Sequence, residues 1–521
     1  MRAPCEALTG SAGTEDPCSE QAKPWVLAAT ILGSSMAFID GTVVNVALPA
    51  LQAEFHSTLV DVQWVIESYG LFLAALILVG GLLGDLFGRR LMFVSGVAIF
   101  AVASAVCGVA SNIDELIAAR SIQGMGAALL VPGSLAIIST SFDQESRGRA
   151  IGSWSGFTAI TTALGPVLGG WLVQHASWRW VFFINVPIAA VVISISLWRI
   201  PESRSGKELR MDWLGATAVT LGLGGVVNAF IESTNLGWGH PLVFGTLSVG
   251  VCALLVFVLV EAHTNSPMVP LGLFKNPSFA GANLLTLLLY AAIGVFFFLF
   301  PLNLIQVQHY SSTKTGAAIL PLILLIFLLS RWSGGLVARF GARIPLIAGP
   351  LIAASGFILF AVPSLAQNYW SSFFPAVIIL GFGMAVTVAP LTTAVMNSVG
   401  EDRVGTASGI NNAVARVAGV LAIAVLGIVM VYAFRTHLDH SLTRLALPSA
   451  IVREVQSNEN KLAGLQVPVS LDSRTRASVD GLIRESFVFG FRVVLLICAA
   501  LAVTSAAVAW IAIPRKTDRI A

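Results

Sequence analysis

The chain has 521 residues, of which 56% are hydrophobic and only 11% are charged. An average soluble domain carries about 25% charged residues, so this composition excludes an ordinary soluble protein and indicates a chain surrounded mostly by lipid. The formal net charge of +3 is too small to predict nucleic-acid binding.

Fourteen apolar runs follow one another along the chain, each long enough to cross a membrane. An α-helix rises about 1.5 Å per residue, so about 20 residues span ~30 Å of hydrocarbon. The sequence therefore predicts an all-α membrane protein of about fourteen transmembrane spans, and the first run is too long for a signal peptide. The runs begin near Trp25, Gln63, Leu91, Leu116, Ala150, Trp180, Asp212, Pro241, Ala280, Gly316, Ile344, Ser371, Gly405 and Val488.

The distribution of positive charge predicts the orientation of these spans. With a cytoplasmic N-terminus, the inner segments hold seventeen Lys and Arg residues, whereas the short outer loops hold only Arg179 and Lys314. We therefore expect a protein of the cytoplasmic membrane with both termini inside the cell. The long loop of residues 433–487 then lies outside, and apolar residues at helical spacing predict short surface helices within it.

Two loops on the predicted cytoplasmic side resemble each other. The segment that starts at Gly81 follows span 2, and the segment that starts at Gly334 follows span 10; five of ten aligned positions are identical. This repeat predicts two six-helix bundles separated by two inserted spans, with a binding cavity between the bundles. The predicted domains are a cytoplasmic tail (1–24), an N-terminal bundle (25–199), a linker with the two inserted spans (200–279), a C-terminal bundle (280–513) that includes the loop 433–487, and a second cytoplasmic tail (514–521).

Four motifs carry a resemblance to a known family. Together they resemble signatures of the major facilitator superfamily, and in particular of its fourteen-span drug–proton antiporter family. Thr161 stands where the signature of the fifth span usually has a glycine. The motifs are Asp40-Gly-Thr-Val-Val-Asn45 in span 1, Gly81-x-x-x-Asp85-x-x-Gly88-Arg89-Arg90 after span 2, Arg120-x-x-Gln123-Gly-x-Gly in span 4, and Gly152 with Gly165-Pro166-x-x-Gly169-Gly170 in span 5.

Three charged residues are expected to couple transport to protons. Asp40 lies about 15 Å into the membrane by helix rise, where an acid costs ~2.5–3.5 kcal/mol and normally faces a cavity or a partner. It is expected to take up a proton outside and release it inside; the alternative is a side chain that only forms packing hydrogen bonds. Glu67 and Arg120 could pair with each other at similar depth, or each could extend to the headgroups.

The loop after span 2 is expected to act as a conformational latch. Glycines let the loop turn sharply, and Asp85 is expected to contact the start of span 13, whose helix N-terminus attracts a negative charge. The alternative is a solvated basic loop that only fixes topology. The predicted latch residues are Gly81, Asp85, Gly88, Arg89 and Arg90.

The fifth span is expected to pack closely against a helix of the other half. Its motif removes side-chain bulk at helical spacing and one backbone donor. The resemblance associates such a motif with exporters. The predicted packing residues are Gly152, Gly165, Pro166, Gly169 and Gly170.

Asn45, Gln123 and Arg416 are expected to line the substrate cavity. Arg416 falls near the middle of span 13, where a guanidinium needs carbonyls, waters or an anionic group. Span 10 carries no acidic residue, so neutral or singly charged cationic substrates are expected.

These features predict a proton-coupled antiporter that exports small hydrophobic drugs, dyes or antibiotics. A proton symporter or uniporter that imports a nutrient or metabolite is the alternative, because one fold can serve both directions. The sequence has no GxSxG, HExxH, CxxC or GxxxxGK[ST] motif, which argues against an enzyme, a metal site or a built-in ATPase. No cofactor is expected beyond the proton gradient; the expected partners are a small-molecule substrate, protons and the bilayer, and the protein is expected to be monomeric.

Overall fold

A computed structural model describes residues 21–142, 144–204, 212–264, 267–363, 365, 368–400, 403–443, 449–465, 467 and 472–515. The predicted cytoplasmic tails, residues 1–24 and 514–521, fall mostly outside this part of the chain. The described residues form helices α1 (Lys23–Phe55), α2 (Leu59–Phe87), α3 (Arg89–Val109), α4 (Ile113–Ser141), α5 (Gln144–His175), α6 (Trp180–Phe183), α7 (Asn185–Arg199), α8 (Trp213–Leu236), α9 (Pro241–His263), α10 (Pro277–Leu302), α11 (Ser312–Phe340), α12 (Arg343–Phe360), α13 (Phe374–Met396), α14 (Val404–Leu442), α15 (Ser449–Ser457) and α16 (Ser473–Ala512).

Within the described residues, fourteen helical stretches are long and apolar enough to cross a bilayer. Helices α6 and α7 together form one of them, Trp180–Arg199, and α10 continues through a π-helical turn to Val307. Helix α15 has 9 residues and is too short to cross. The all-α membrane fold and the predicted number of spans are confirmed.

The two final long helices extend into the range predicted for the outer loop. Helix α14 continues to Leu442 and α16 begins at Ser473, so much of residues 433–487 is helical. The reason is burial: Leu438 and Leu442, which lie on one helical face, are 0% and 1% exposed. Helix α15 is one of the short helices that the apolar spacing predicts.

The chain forms two compact units. Unit 1 comprises Met1–Val44, Val65–Leu223 and Cys252–Pro270, and unit 2 comprises Asn45–Trp64, Gly224–Val251 and Leu271–Ala521. In unit 1, α3 packs against α4 and α7; in unit 2, α12 packs against α13 and α16, and α10 against α14 and α16. The domain boundaries given above stay a prediction.

Corresponding helical hairpins break at corresponding residues. Gly88 (φ 122°) separates α2 from α3, and Gly341 (φ 76°) separates α11 from α12. A second pair of matching residues precedes these hairpins. His56 (φ 52°) lies just before α2, and His309 (φ 57°) lies just before α11. All four lie in a backbone region that few side chains tolerate, which supports the duplication that the two similar loops predict.

The glycine motif of α5 packs against the part of α1 that belongs to the same unit. A Cβ atom on Gly165 would lie 2.2 Å from Thr42 Oγ1, and one on Gly169 would lie 2.4 Å from Val43 Cγ2 and 2.9 Å from the Val43 carbonyl oxygen. The small residues therefore let α1 approach α5 closely, and the packing of span 5 against a helix of the other half stays a prediction. Thr161, the residue that departs from the family pattern, donates a hydrogen bond to Ser35 Oγ of α1 at 3.1 Å.

Pro166 and Gly170 of this motif are buried, whereas Gly152 is exposed, and a Cβ atom on Gly152 would have nothing within 4 Å. The motif therefore contributes to the α1–α5 contact through its C-terminal part. Gly152 has no part in this contact.

We predict that Gly169→Ala lowers the midpoint of thermal unfolding in detergent. The added methyl group has no space against Val43, and overpacking of this kind costs about 1–3 kcal/mol. Gly152→Ala in the same helix is the matched control; it should leave the midpoint unchanged or raise it, because alanine favours helix over glycine by about 1 kcal/mol. Equal losses in both variants would contradict the packing described for α5.

Candidate functional site

A buried ion pair joins α1 to α4 in unit 1. Arg120 Nη1 donates a hydrogen bond to Asp40 Oδ2. Asp40 is 0% exposed and Arg120 is 1% exposed, so both charges are removed from solvent. Removing two charges from water is expensive, and a pair at this depth persists only if its remaining hydrogen-bonding groups are also satisfied.

The guanidinium of Arg120 is held by three further groups. Its Nε donates to the Val65 carbonyl oxygen at 3.0 Å, and its Nη1 also donates to Gln123 Oε1 at 2.8 Å. The ring of Tyr69 lies below it, with 4.2 Å from the guanidinium carbon to the ring centroid, a cation–π geometry. Tyr69 is itself fixed by its hydroxyl, which donates to the Ala37 carbonyl oxygen at 3.1 Å.

The second carboxylate oxygen of Asp40 accepts from two amides. Gln123 Nε2 lies 2.9 Å from Oδ1, and Asn185 Nδ2 lies 3.3 Å from it. Both amides also donate to Ser104 Oγ, at 3.2 Å and 2.9 Å. Residues of α1, α3, α4 and α7 thus meet in one network, and each polar group fixes the orientation of the next.

The spacing of α4 explains why its motif has this form. Arg120 and Gln123 are three residues apart, so their side chains lie on one face of the helix, and both reach the same carboxylate. The amide of Gln123 bridges Asp40, Arg120 and Ser104, and its place in a substrate cavity stays a prediction. Sequence reasoning missed Ser104 and Asn185, because single polar residues in apolar spans give no signal in one sequence.

Glu67 does not pair with Arg120. Its side chain is 0% exposed, and neither carboxylate oxygen has a hydrogen-bond partner among the described residues. The expected pair fails because Asp40 occupies the guanidinium of Arg120. An ionised carboxylate without any partner is very costly in such a place, so the surroundings of Glu67 favour the neutral acid.

Two acidic side chains form separate hydrogen bonds where α2 meets α3. Asp85 Oδ1 accepts from Nε and Nη2 of Arg89, at 2.9 Å and 2.7 Å. Glu202, which follows α7, accepts from the backbone N–H groups of Arg90 and Leu91 at 3.1 Å each. A negative charge at a helix N-terminus is stabilising, so Glu202 caps α3.

Glycine at position 88 makes this cap possible. With φ at 122° its backbone favours glycine, and a Cβ atom there would lie 2.5 Å from Glu202 Oε1. Sequence reasoning missed Glu202, since it is 112 residues from Arg90. The contact of Asp85 with the start of span 13 stays a prediction; Gly81 faces α4, where a Cβ atom on it would lie 3.7 Å from Pro132 Cβ.

The other predicted cavity residues belong to unit 2. Asn45 of α1 and Arg416 of α14 are both half-buried. Their assignment to a substrate cavity stays a prediction. In the same unit, the amide of Asn411 donates to Asn283 Oδ1 and Thr286 Oγ1 at 3.1 Å and 2.7 Å, which links α14 to α10 by a polar contact that the sequence motifs did not include.

We predict that Arg120→Met destabilises the protein and that Asp40→Asn restores part of the loss. The first change leaves the Asp40 carboxylate buried without its cation, which costs about 3–5 kcal/mol, and the second removes that charge. Thermal unfolding of the single and double variants in detergent measures both steps, with Arg149→Met on the exposed face of α5 as the control. A double variant less stable than Arg120→Met would contradict the assigned ion pair.

Comparison with curated proteins identifies relatives over nearly the whole chain. The multidrug resistance protein Stp of Mycobacterium tuberculosis is 34% identical over 498 residues, covering 91% of this chain and 89% of that protein. The tetracenomycin C resistance and export protein of Streptomyces glaucescens is 32% identical over 496 residues, covering 94% and 91%.

Comparison with solved structures agrees on the fold. A bacterial homologue of the human lysosomal transporter Spinster matches with a TM-score of 0.65 at 17% identity, covering 94% of this chain and 98% of that one. The xylose transporter XylE from E. coli matches with a TM-score of 0.57 at 13% identity, covering 94% and 96%. The family model of the Major Facilitator Superfamily matches residues 30–423. The chain is therefore a membrane transporter that belongs to the major facilitator superfamily.

Proposed function

We propose that this transporter is a proton-coupled antiporter that exports small hydrophobic compounds, neutral or singly positive, across the cytoplasmic membrane by alternating access. The observation that carries the proposal is the buried Asp40–Arg120 pair, a titratable carboxylate at membrane depth inside a complete polar network. The names of the relatives, which refer to multidrug resistance and to antibiotic resistance and export, support drugs or antibiotics as the substrates and export as the direction.

A proton on Asp40 would remove the negative charge that Arg120 faces. The Val65 carbonyl, Gln123 and Tyr69 would still hold the guanidinium, so the cation would not be stranded. Asn185 Oδ1 is buried with no partner among the described residues and offers an acceptor for the new carboxyl O–H. The network would thus take up the proton without leaving a buried group unpaired, as a proton-loaded intermediate requires.

The membrane potential can drive this exchange. One charge that moves inward through 100 mV releases about 2.3 kcal/mol, before any pH gradient is counted. The charge distribution of the loops supports an orientation with both termini in the cytoplasm. In that orientation Asp85, Arg89 and Arg90 lie at the cytoplasmic surface, where breaking and re-forming their contacts would act as the latch. No cofactor and no second subunit are required.

Glu67 is proposed to serve the substrate. A buried carboxyl group without a partner is neutral when the transporter is empty of cations, and it can ionise when a positively charged substrate supplies the missing countercharge. One such group fits singly charged cations, and in its neutral form it fits uncharged compounds. The proton released from Glu67 would then add to the coupling through Asp40.

We predict that Asp40→Asn abolishes proton-driven efflux while the protein still inserts into the membrane. Asparagine keeps the shape of the site, and its one oxygen can still accept from Arg120, but it cannot exchange a proton. Puromycin, tetracenomycin C and ethidium are suitable probes in everted vesicles energised by a pH gradient. Asp114→Asn, at the exposed start of α4, is the control and should transport like the unaltered protein.

Transport that stays coupled to the gradient in Asp40→Asn would contradict the proton role of this residue. Movement of the probes in the same direction as the protons would favour the importer instead. Reconstituted vesicles of known orientation distinguish the two directions.

We predict that Glu67→Gln selectively weakens export of cations. Glutamine cannot supply a countercharge, so efflux of ethidium should fall at least tenfold, while efflux of an uncharged probe such as tetracenomycin C should change less than twofold. The ratio of the two initial rates in the same vesicles measures the effect. A parallel loss for both compounds would show that Glu67 acts in coupling or in folding.

A further inference from the structure

A cavity of about 280 Å³ lies in unit 2 beside two helix turns. One turn follows α1 and the other follows α10, and the third wall is the segment Glu459–Gly464 that connects α15 to α16. If every span crosses once, these three elements lie on the same side of the membrane, the outer side in the proposed orientation. We call this cavity the outer pocket; its lining includes Gln52, His56, Ser57, Gln306, His309 and Lys461.

The two turns present histidines at matching positions. His56 and His309 both have left-handed backbone conformations, and each precedes by two residues the N-cap region of the next helix. Thr58 exchanges hydrogen bonds with Asp61 there, and Ser311 accepts from the Lys314 N–H. The turn geometry therefore fixes where each imidazole ring stands at the rim of the pocket.

The segment Glu459–Gly464 is held firmly over the pocket. Gln52 Nε2 donates to the Lys461 carbonyl oxygen at 3.1 Å, and Gln306 Nε2 donates to Gln52 Oε1 at 2.7 Å. Leu462 is 1% exposed although its φ is 50°, so its burial holds the backbone in a strained conformation. The third wall is thus a built part of the pocket.

Lys461 is the basic residue with a full positive charge among the described residues that line the outer pocket. Lys461 and the two histidines line it, and Nη1 of Arg484 lies 2.9 Å from Nε2 of His309. Among the described residues, no Asp or Glu lines the pocket. The nearby acids have other partners, since Asp480 pairs with Arg484 at 2.5 Å and Glu459 lies 3.5 Å from Arg435.

The charge on Glu459 is also reduced. Burial, together with the neighbouring Asp439, raises the pKa of Glu459 to about 7. Near neutral pH this acid is therefore only partly ionised.

A buried hydroxyl in the wall lacks a partner. Ser57 is 4% exposed, lines the pocket, and its Oγ has no hydrogen-bond partner among the described residues. A buried polar group without a partner is destabilising. A bound molecule with an acceptor oxygen would satisfy this donor.

We propose that the outer pocket binds a small anion through a carboxylate or phosphate group. Lys461 supplies a positive charge, and Ser57 and the imidazole N–H groups supply neutral donors, a combination that suits such oxygens. The volume is at the low end for ligand pockets, which favours a small molecule or a lipid headgroup. A bound anion would join the two turns to the segment Glu459–Gly464. The side of the membrane on which the pocket opens depends on the proposed orientation. Anion binding depends on neither that orientation nor the proposed transport activity.

The test uses the full chain in nanodiscs of phosphatidylcholine. Inorganic phosphate and acetate are titrated separately, and the midpoint of thermal unfolding and the heat of binding are recorded. We expect a saturable rise with at least one of the two anions. Lys461→Gln should weaken its affinity at least tenfold, whereas Arg453→Gln, which alters an exposed arginine of α15, should not.

Ser57→Ala is a second variant that does not risk the fold. Because the hydroxyl is unpartnered among the described residues, its removal should leave the stability of the free protein unchanged or improved and should still weaken anion binding. His309→Asn gives a third check, since asparagine tolerates the left-handed backbone. A general salt effect on stability would persist unchanged in all three variants, and that result would overturn the proposal.

A second arm distinguishes the source of the anion. Nanodiscs that contain phosphatidylglycerol are compared with phosphatidylcholine nanodiscs in the absence of added phosphate. Stabilisation by the anionic lipid that Lys461→Gln removes assigns the site to a headgroup; stabilisation by the free anions alone assigns it to a soluble ligand. If neither source stabilises the unaltered protein or releases heat, the outer pocket is not an anion site.

Discussion

The contact between Asp40 and Arg120 is the constraint on which unit 1 depends. Two opposite charges are enclosed where water cannot solvate them, and each must find its remaining partners among neighbouring helices. Gln123, Ser104 and Asn185 provide those partners, which fixes the relative positions of α1, α3, α4 and α7. The same requirement makes the site responsive, because a single proton on Asp40 changes the charge balance of the entire network.

The close approach of α5 to α1 involves the same helix that carries Asp40. Gly165 and Gly169 of α5 pack tightly against Thr42 and Val43 of α1. This contact lies two to three residues along the chain from Asp40. A change at the ion pair must therefore be transmitted as movement of a packed helix pair, since cores shift between discrete arrangements more readily than they deform. Glu202 stabilises the turn between α2 and α3 by capping the N-terminus of α3.

Hydropathy predicted the number of spans, because the bilayer imposes length and polarity on each helix separately. The four motifs predicted the superfamily. The importance of Asp40 and Arg120 was also predicted, from motif and depth. The contact between Asp40 and Arg120 was not predicted. The packing of neighbouring helices decides whether Asp40 or Glu67 meets the arginine, and the sequence analysis considered Glu67. Glu202 and Asn185 escaped notice for a related reason: each acts across 112 or 145 residues of sequence. The extension of α14 and α16 beyond the bilayer was hidden by the polar residues on their exposed faces.

Proton exchange at Asp40 is the central claim, and infrared difference spectroscopy tests it most directly. Spectra of the protein in lipid are recorded at alkaline and acidic pH, and the carbonyl stretch of a protonated, buried carboxyl group is followed. The account predicts a band that appears on acidification, is lost in Asp40→Asn and is retained in Asp114→Asn. Identical difference spectra for the unaltered protein and Asp40→Asn would mean that Asp40 keeps one charge state throughout, and would contradict the account.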